Sequence, residues 1–360
     1  MRKNLELIKG VQDTAGVSVI LALKGFAMWR VFPFVNQYLH GATASSLNEA
    51  RLVYEEMGVK AHTYAPAYIP SEFDEVLNYS SHITFNSLNQ LEQFKAQVLA
   101  HTESVSIGLR VNPEYSVVEV DLYNPASPTS RLGVTAKALE KGLPSEIEGL
   151  HFHALCESSA EDLEAVLKAF EERFGKYFQQ INWVNFGGGH LMTRKGYDKS
   201  RLIHILKDFK ARYNLQVILE PGSAIAWETG FLLATVLDIV EANGVKTLLT
   251  DVSFTAHMPD TIEMPYRPRI RGASETGEGR FNYRIGGMSC LAGDFMMEYG
   301  FEKEVKPGDR LIFEDMIHYT MVKTTMFNGL KHPDICILKE DGSLEVVRQF
   351  NYEDYKSRMS

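Results

Sequence analysis

"INWVNFGGGHLMTRKGYDKSRLIHILKDFKARY", residues 181–213, decides the fold. An apolar run at 181–186 has the length of a buried strand, and "DKSRLIHILKDFKARY" at 198–213 has the pattern of an amphipathic helix. Between them stand Gly187, Gly188 and Gly189, which no regular element favours. The stretch therefore reads as strand, tight turn and helix, with a turn where backbone must come close to something.

The same unit recurs outward from there. Between about residue 17 and residue 225, the strands "GVSVILAL" (16–23), "SVSIGLRV" (104–111), "IEGLHFHAL" (147–155) and "LQVILEPG" (215–222) alternate with helical stretches such as "SSLNEARLVYEEM" (45–57) and "SAEDLEAVLKAFEERF" (159–174). Nearly all-apolar strands between helices argue for a parallel sheet covered by helices. The expectation is a (β/α)8 TIM-like barrel over residues 15–226, with a doubly wound sheet as the alternative. Beyond residue 226 the runs become short and β-prone, broken by "NG", "PGD" and "EDGS" turns. An antiparallel β-rich C-terminal domain is expected over 227–360, joined by residues 1–14.

The bulk figures fit one barrel and a smaller domain. The 360 residues are 45% hydrophobic and 23% charged, an ordinary soluble composition. The longest apolar stretches are too short to span a bilayer, and the N-terminus lacks a signal-peptide core, so a cytoplasmic protein without a membrane partner is expected. A formal charge of −9 disfavours nucleic acid and suits cationic partners. Cys156, Cys290 and Cys336 show no metal-ligand spacing, so no metal is implied.

In a barrel of this kind, chemistry sits where strands end. Lys24 ends an apolar strand, where a desolvated amine is freed to form an imine with an aldehyde. Gly187, Gly188 and Gly189 can turn successive N–H groups onto a phosphate, or form a plain strand-to-helix turn. Glu220, before Pro-Gly, can hold a proton on a heterocyclic nitrogen, and His153 can stack on a ring or act as acid or base. Each has a plainer reading alone: solvated lysine, salt-bridged glutamate, core histidine. Together they describe the needs of pyridoxal 5′-phosphate, and an acid at the ring nitrogen favours carbanion-forming reactions such as decarboxylation.

The ordered motifs "ALKGF", "SRLGV", "HFHAL", "FGGGH", "EPG", "TDVS", "GMSCLAGD", "HYTM" and "FNG" resemble the alanine racemase-like (fold type III) pyridoxal-phosphate decarboxylases. This resemblance implies Lys24 as the imine-forming lysine, His153 as the stacking residue, Gly187–Gly189 as the phosphate loop and Glu220 as partner of the ring nitrogen. It also implies Cys290 as the proton donor to Cα, Tyr319 near the phosphate, and an obligate homodimer whose cysteine segment completes the partner's active site. Cys156 and Cys336 are left as structural.

Departures from the ornithine and diaminopimelate enzymes narrow the substrate. Ser223 follows "EPG" where those relatives typically carry arginine, and Leu291 follows the cysteine where the ornithine type has aspartate. "ALKGF", "TDVSFTAHMPDTIEMPYRP" and "CLAGD" resemble the carboxynorspermidine/carboxyspermidine decarboxylase branch, whose cationic substrate is a carboxylated triamine. Asp251 and Asp294 match positions that hold the distal amine, with Asp260, Glu263 and Asp315 as further candidates. The alternatives are ornithine or diaminopimelate decarboxylation, or a non-catalytic regulatory homologue.

Overall fold

The computed structural model describes residues 1–118 and 124–360, which divide into two compact units, Met1–Ile225 and Ala226–Ser360. The first contains strands β1 (Ser18–Val19), β2 (Leu21–Ala22), β3 (Ala42–Ala44), β4 (Ala61–Tyr64), β5 (Ser80–Phe85), β6 (Ser106–Arg110), β7 (Gly149–His151), β8 (Trp183–Asn185) and β9 (Gln216–Leu219). Its helices are α1 (Arg2–Ala15), α2 (Phe32–Val35), α3 (Leu47–Met57), α4 (Phe73–Asn78), α5 (Leu88–Ala100), α6 (Ala160–Phe174), α7 (Lys199–Tyr213) and α8 (Ser223–Ala226).

Every neighbouring pair in the sheet is parallel, in the order β1-β9-β8-β7-β6-β5-β4-β3-β2. Since β1 and β2 are separated only by Ile20, they are two halves of one strand. The first half bonds the last strand and the second half bonds the next in sequence. The ring is thereby closed as a (β/α)8 barrel, and the doubly wound alternative falls away.

Local sequence sets the helix boundaries. Ser46, Ser87, Ser159 and Asp198 each accept a backbone N–H from the first turn of α3, α5, α6 and α7, satisfying a donor the helix leaves unpaired. Leu202, Ile205, Leu206 and Phe209 line one face of α7, while α6 turns Leu163, Val166, Leu167 and Phe170 inward. Phe152, Phe170, Phe186 and Phe209 pack between strand ends and helices in tilted and edge-on pairs at centroid separations of 4.7–5.2 Å. Inside the ring the Trp183 indole occupies the space that side chains at Gly108 and Gly149 would take.

Residues 1–14, expected with the β domain, instead form most of α1 and belong to the first unit. Leu5, Ile8 and Val11 are buried on one face, and α1 packs against α7 and β1. Helical spacing of the apolar residues wins over pairing with a sheet. Gln12, buried, accepts the Val19 N–H at 2.9 Å and donates to the Tyr38 carbonyl at 3.2 Å, tying the helix to the closing strand.

The second unit holds β10 (Phe231–Ala242), β11 (Val245–Thr250), β12 (Ala273–Ser274), β13 (Phe281–Gly286), β14 (Phe295–Phe301) and β15 (Arg310–Glu314) in the order β12-β14-β13-β11-β10-β15. Its pairs are antiparallel except β11 with β13, which is parallel. A crossover carrying α9 (Phe254–His257) and α10 (Asp260–Glu263) separates those two strands, as a parallel pair requires. Leu248, Phe254, Tyr283, Ile285 and Phe313 are in its core. A hairpin of β16 (Ile335–Leu338) and β17 (Leu344–Arg348) follows α11 (Thr320–Lys323). No helix among the described residues is long and apolar enough to cross a membrane.

Candidate active site

Lys24, His153, the triglycine and Glu220 follow β2, β7, β8 and β9, so all lie at one end of the barrel. The structure brings them into direct contact. Lys24 Nζ lies 3.2 Å from His153 Nε2, and the Gly188 N–H donates to His153 Nδ1 at 3.0 Å. An Nδ1 that accepts a backbone N–H leaves the neutral imidazole proton on Nε2. That proton then points at Lys24, which must offer a lone pair. The geometry thus calls for an uncharged amine.

Electrostatics point the same way. Lys24 is reached by solvent on one side but crowded by protein elsewhere, and desolvation lowers its pKa from the ordinary lysine value, helped by the Arg110 charge and opposed by Glu220. Burial holds His153 well below the usual imidazole range, with Lys24 and Arg110 adding to the effect. Glu220 is buried, and desolvation raises its carboxyl above the ordinary value against the stabilising pull of Asn185 and Lys24. His151 Nε2 lies 3.6 Å from Glu220 Oε2; burial keeps that ring neutral, so the contact is no ion pair.

The triglycine exists because the chain grazes two other strand ends. A Cβ at Gly187 would meet the Phe152 carbonyl oxygen at 2.5 Å, at Gly188 the Glu220 carbonyl oxygen at 2.6 Å, and at Gly189 the Leu155 carbonyl oxygen at 2.3 Å. Gly187 and Gly189 also have φ of 69° and 87°, in the left-handed region. The expected cradle of successive free N–H groups is modified, since two of the three amides are spent inside the protein. Gly187 donates to Asn185 Oδ1 at 2.8 Å and Gly188 to His153 Nδ1 at 3.0 Å. Nearby, Gly25 and Gly222 let the segments after Lys24 and Glu220 cross, a Cβ at Gly25 falling 2.8 Å from the Gly222 Cα.

Sequence reasoning missed two residues here. Asn185 donates to Glu220 Oε1 at 2.6 Å while accepting from Gly187, so one amide fixes both carboxyl and turn. Arg110, only 4% exposed, stacks over the Tyr64 ring at 4.7 Å and donates to the His153 carbonyl at 3.4 Å. The available signal was a polar residue ending an apolar strand: "WVN" and "GLR".

The remaining candidates belong to the second unit. Cys290 is exposed in the loop joining β13 to β14, and its N–H donates to Asn328 Oδ1 at 2.8 Å. Tyr319 has φ 49° and ψ −56°, a strained conformation for a non-glycine residue. Asp251, exposed just beyond β11, accepts the Thr235 N–H at 2.7 Å with one oxygen. Asp294 departs from its expected place on a substrate amine. It is buried, and three backbone N–H groups (Phe254, Thr255 and Ser289) already occupy its oxygens, leaving little of the carboxylate for a ligand. Of the further acids, Asp260 accepts the Tyr266 and Thr320 hydroxyls, Glu263 pairs with Lys323, and Asp315 lies 3.2 Å from His318 Nε2.

Residues 51–317 match the family described as "Pyridoxal-dependent decarboxylase, C-terminal sheet domain". The chain is 52% identical over its whole length to a carboxyaminopropylagmatine decarboxylase from Synechocystis sp., covering 92% of that protein. It is 47% identical to a carboxynorspermidine/carboxyspermidine decarboxylase from Campylobacter jejuni, over 99% of this chain and 95% of the relative. A crystal structure of carboxynorspermidine decarboxylase with norspermidine, also from C. jejuni, superposes with a TM-score of 0.91 at 46% identity over 99% of this chain and 96% of that one. The fold is shared, at 16% identity and a TM-score of 0.84, with diaminopimelate decarboxylase from Helicobacter pylori, which covers 98% of this chain and is itself covered to 94%.

Proposed function

The chain belongs to the pyridoxal-dependent decarboxylase family, in the branch of the carboxynorspermidine/carboxyspermidine enzymes, and we propose that it removes the carboxyl group of carboxynorspermidine or carboxyspermidine as CO2 in polyamine biosynthesis. The observation that carries this reading is the arrangement Lys24–His153–Gly188: an amine whose pKa desolvation lowers, 3.2 Å from an imidazole whose other nitrogen accepts the glycine turn's N–H. The similarity to the Synechocystis protein favours a second substrate, carboxyaminopropylagmatine, whose tail ends in guanidinium instead of ammonium.

The residues suit pyridoxal 5′-phosphate. The Lys24 amine beside His153 suits the aldehyde and ring, and the buried Glu220 carboxyl, oriented by Asn185, suits a ring nitrogen. Bound there, the cofactor supplies an electron sink for the pair left on Cα when CO2 departs. Lys24 would hold the aldehyde carbon, His153 the ring face, Gly187–Gly189 and Tyr319 the phosphate. Asp251, exposed and accepting the Thr235 N–H through Oδ1, would meet the cationic tail with its other oxygen. Cys290 of a second copy gives its thiol proton to Cα, and solvent restores the thiol.

The homodimer is supported by apolar side chains that the second unit leaves exposed, among them Phe231, Leu233, Leu237, Phe295 and Met297. A cytoplasmic location accords with this chemistry and with three cysteines that form no disulfide. The deciding experiment measures CO2 release from carboxynorspermidine, carboxyspermidine, carboxyaminopropylagmatine, ornithine and diaminopimelate side by side. Turnover of the last two alone would overturn the proposal, and failure to bind the cofactor would favour a non-catalytic homologue. Lys24→Ala is expected to abolish both activity and the visible absorbance of lysine-bound cofactor; a persisting band would remove Lys24 from its role.

A further inference from the structure

Residues 287–294, which carry Cys290 between β13 and β14, are held from two sides. Asp294 turns back beneath the loop: Oδ2 accepts the Ser289 N–H at 3.0 Å, and Oδ1 accepts the Phe254 and Thr255 N–H groups at 2.7 and 3.2 Å. The carboxyl sits so close that a Cβ at Gly287 would fall 2.3 Å from Oδ2, which accounts for a glycine there. From the other side, Asn328 Oδ1 accepts the Cys290 N–H at 2.8 Å. Asn328 adopts φ 57° and ψ 16°, a left-handed conformation for a side chain that is exposed and fills no core. Two consecutive amides, of residues 289 and 290, are thus pinned by side chains from different segments. The backbone entering Cys290 cannot swing without breaking one of these bonds.

We propose that Asp294 and Asn328 are positioning residues that fix the direction of the Cys290 thiol. This rests on Cys290 being the proton donor. Asp294 anchors the loop to the N-terminal end of α9, while Asn328 sets the peptide from which the side chain departs. Neither residue need touch substrate.

Asn328→Gly separates the acceptor from the backbone, because glycine keeps the left-handed conformation and removes only the side chain. In the holoenzyme, Asn328→Gly is expected to lower kcat about 10-fold or more with KM and cofactor affinity unchanged, while Asn328→Asp, which keeps the accepting oxygen, stays close to wild type. Alkylation by iodoacetamide, read peptide by peptide in a mass spectrometer, gives an independent measure. Cys290 should react several-fold faster in Asn328→Gly and Asp294→Asn, with Cys336 unchanged as internal control. The proposal is overturned if Asn328→Gly retains wild-type kcat and Cys290 alkylation, or if activity falls only in step with lost cofactor. Should the wild-type protein decarboxylate no carboxylated polyamine, the functional reading fails, and the alkylation comparison still decides the positioning.

Discussion

Asn185 has no reactive atom, yet it decides how two neighbours face. Its carbonyl takes the Gly187 N–H, so its amide must donate to Glu220, and a buried carboxyl depends on that donation. Leaving such a group short of a partner costs about 1–3 kcal/mol. Asn185→Ala should lose roughly that much stability near neutral pH, measured by chemical denaturation. The deficit should shrink as the pH is lowered, because Glu220, already raised by burial, then takes up a proton and no longer needs the donor. Cofactor affinity, followed by titration, should fall in parallel. That Lys24, His153, the glycines and Glu220 meet at one end of the barrel is legible in the sequence, because each directly follows an apolar strand. Asn185 and Arg110 are not, since their work consists of partners that only folding supplies.

The strands ending at this site are short, three to six residues from β3 to β9, and several carry histidines into the barrel. His62 and His82 stack at 3.8 Å, and Trp183 meets His82 edge-on at 5.3 Å. Burial lowers both pKa values, His82 to about 4, and His190 beyond β8 likewise to about 4. Groups held neutral in the fold but free to protonate when unfolded favour the folded state fully above the unfolded pKa near 6.5, and that advantage is lost as the pH falls toward 4. The midpoint of thermal unfolding should therefore drop steeply between pH 6.5 and 4, and His82→Phe, which keeps a ring against His62, should flatten the slope. The strand–helix units were legible because nearly all-apolar runs alternate with amphipathic stretches, and serine or aspartate caps open α3, α5, α6 and α7. The splitting of the first strand at Ile20 and the parallel pairing of β11 with β13 were not, because both depend on which distant strand arrives alongside. The placement of α1 was misjudged for a related reason: an amphipathic segment announces that it has a buried face, not what will cover it.

At the level of the molecule, the exposed apolar side chains of the second unit predict association. Leu233→Asp combined with Met297→Asp should shift the protein toward monomer in sedimentation experiments, with specific activity falling on dilution earlier than in wild type. The catalytic proposal and the assembly proposal stand or fall together in that test, since a monomer lacks the second cysteine. The barrel carries one more consequence in the way its first strand closes it. Val19 pairs with Leu219, about 200 residues later, and the crossing of Gly25 with Gly222 lies at the same joint, flanked by Lys24 and Glu220. A ribosome must release nearly the whole barrel before this seam can zip. Until then the nascent chain has nowhere to receive its vitamin, so a polypeptide cut short ahead of the seam is expected to be inert, and capture of the cofactor reports that the ring has shut.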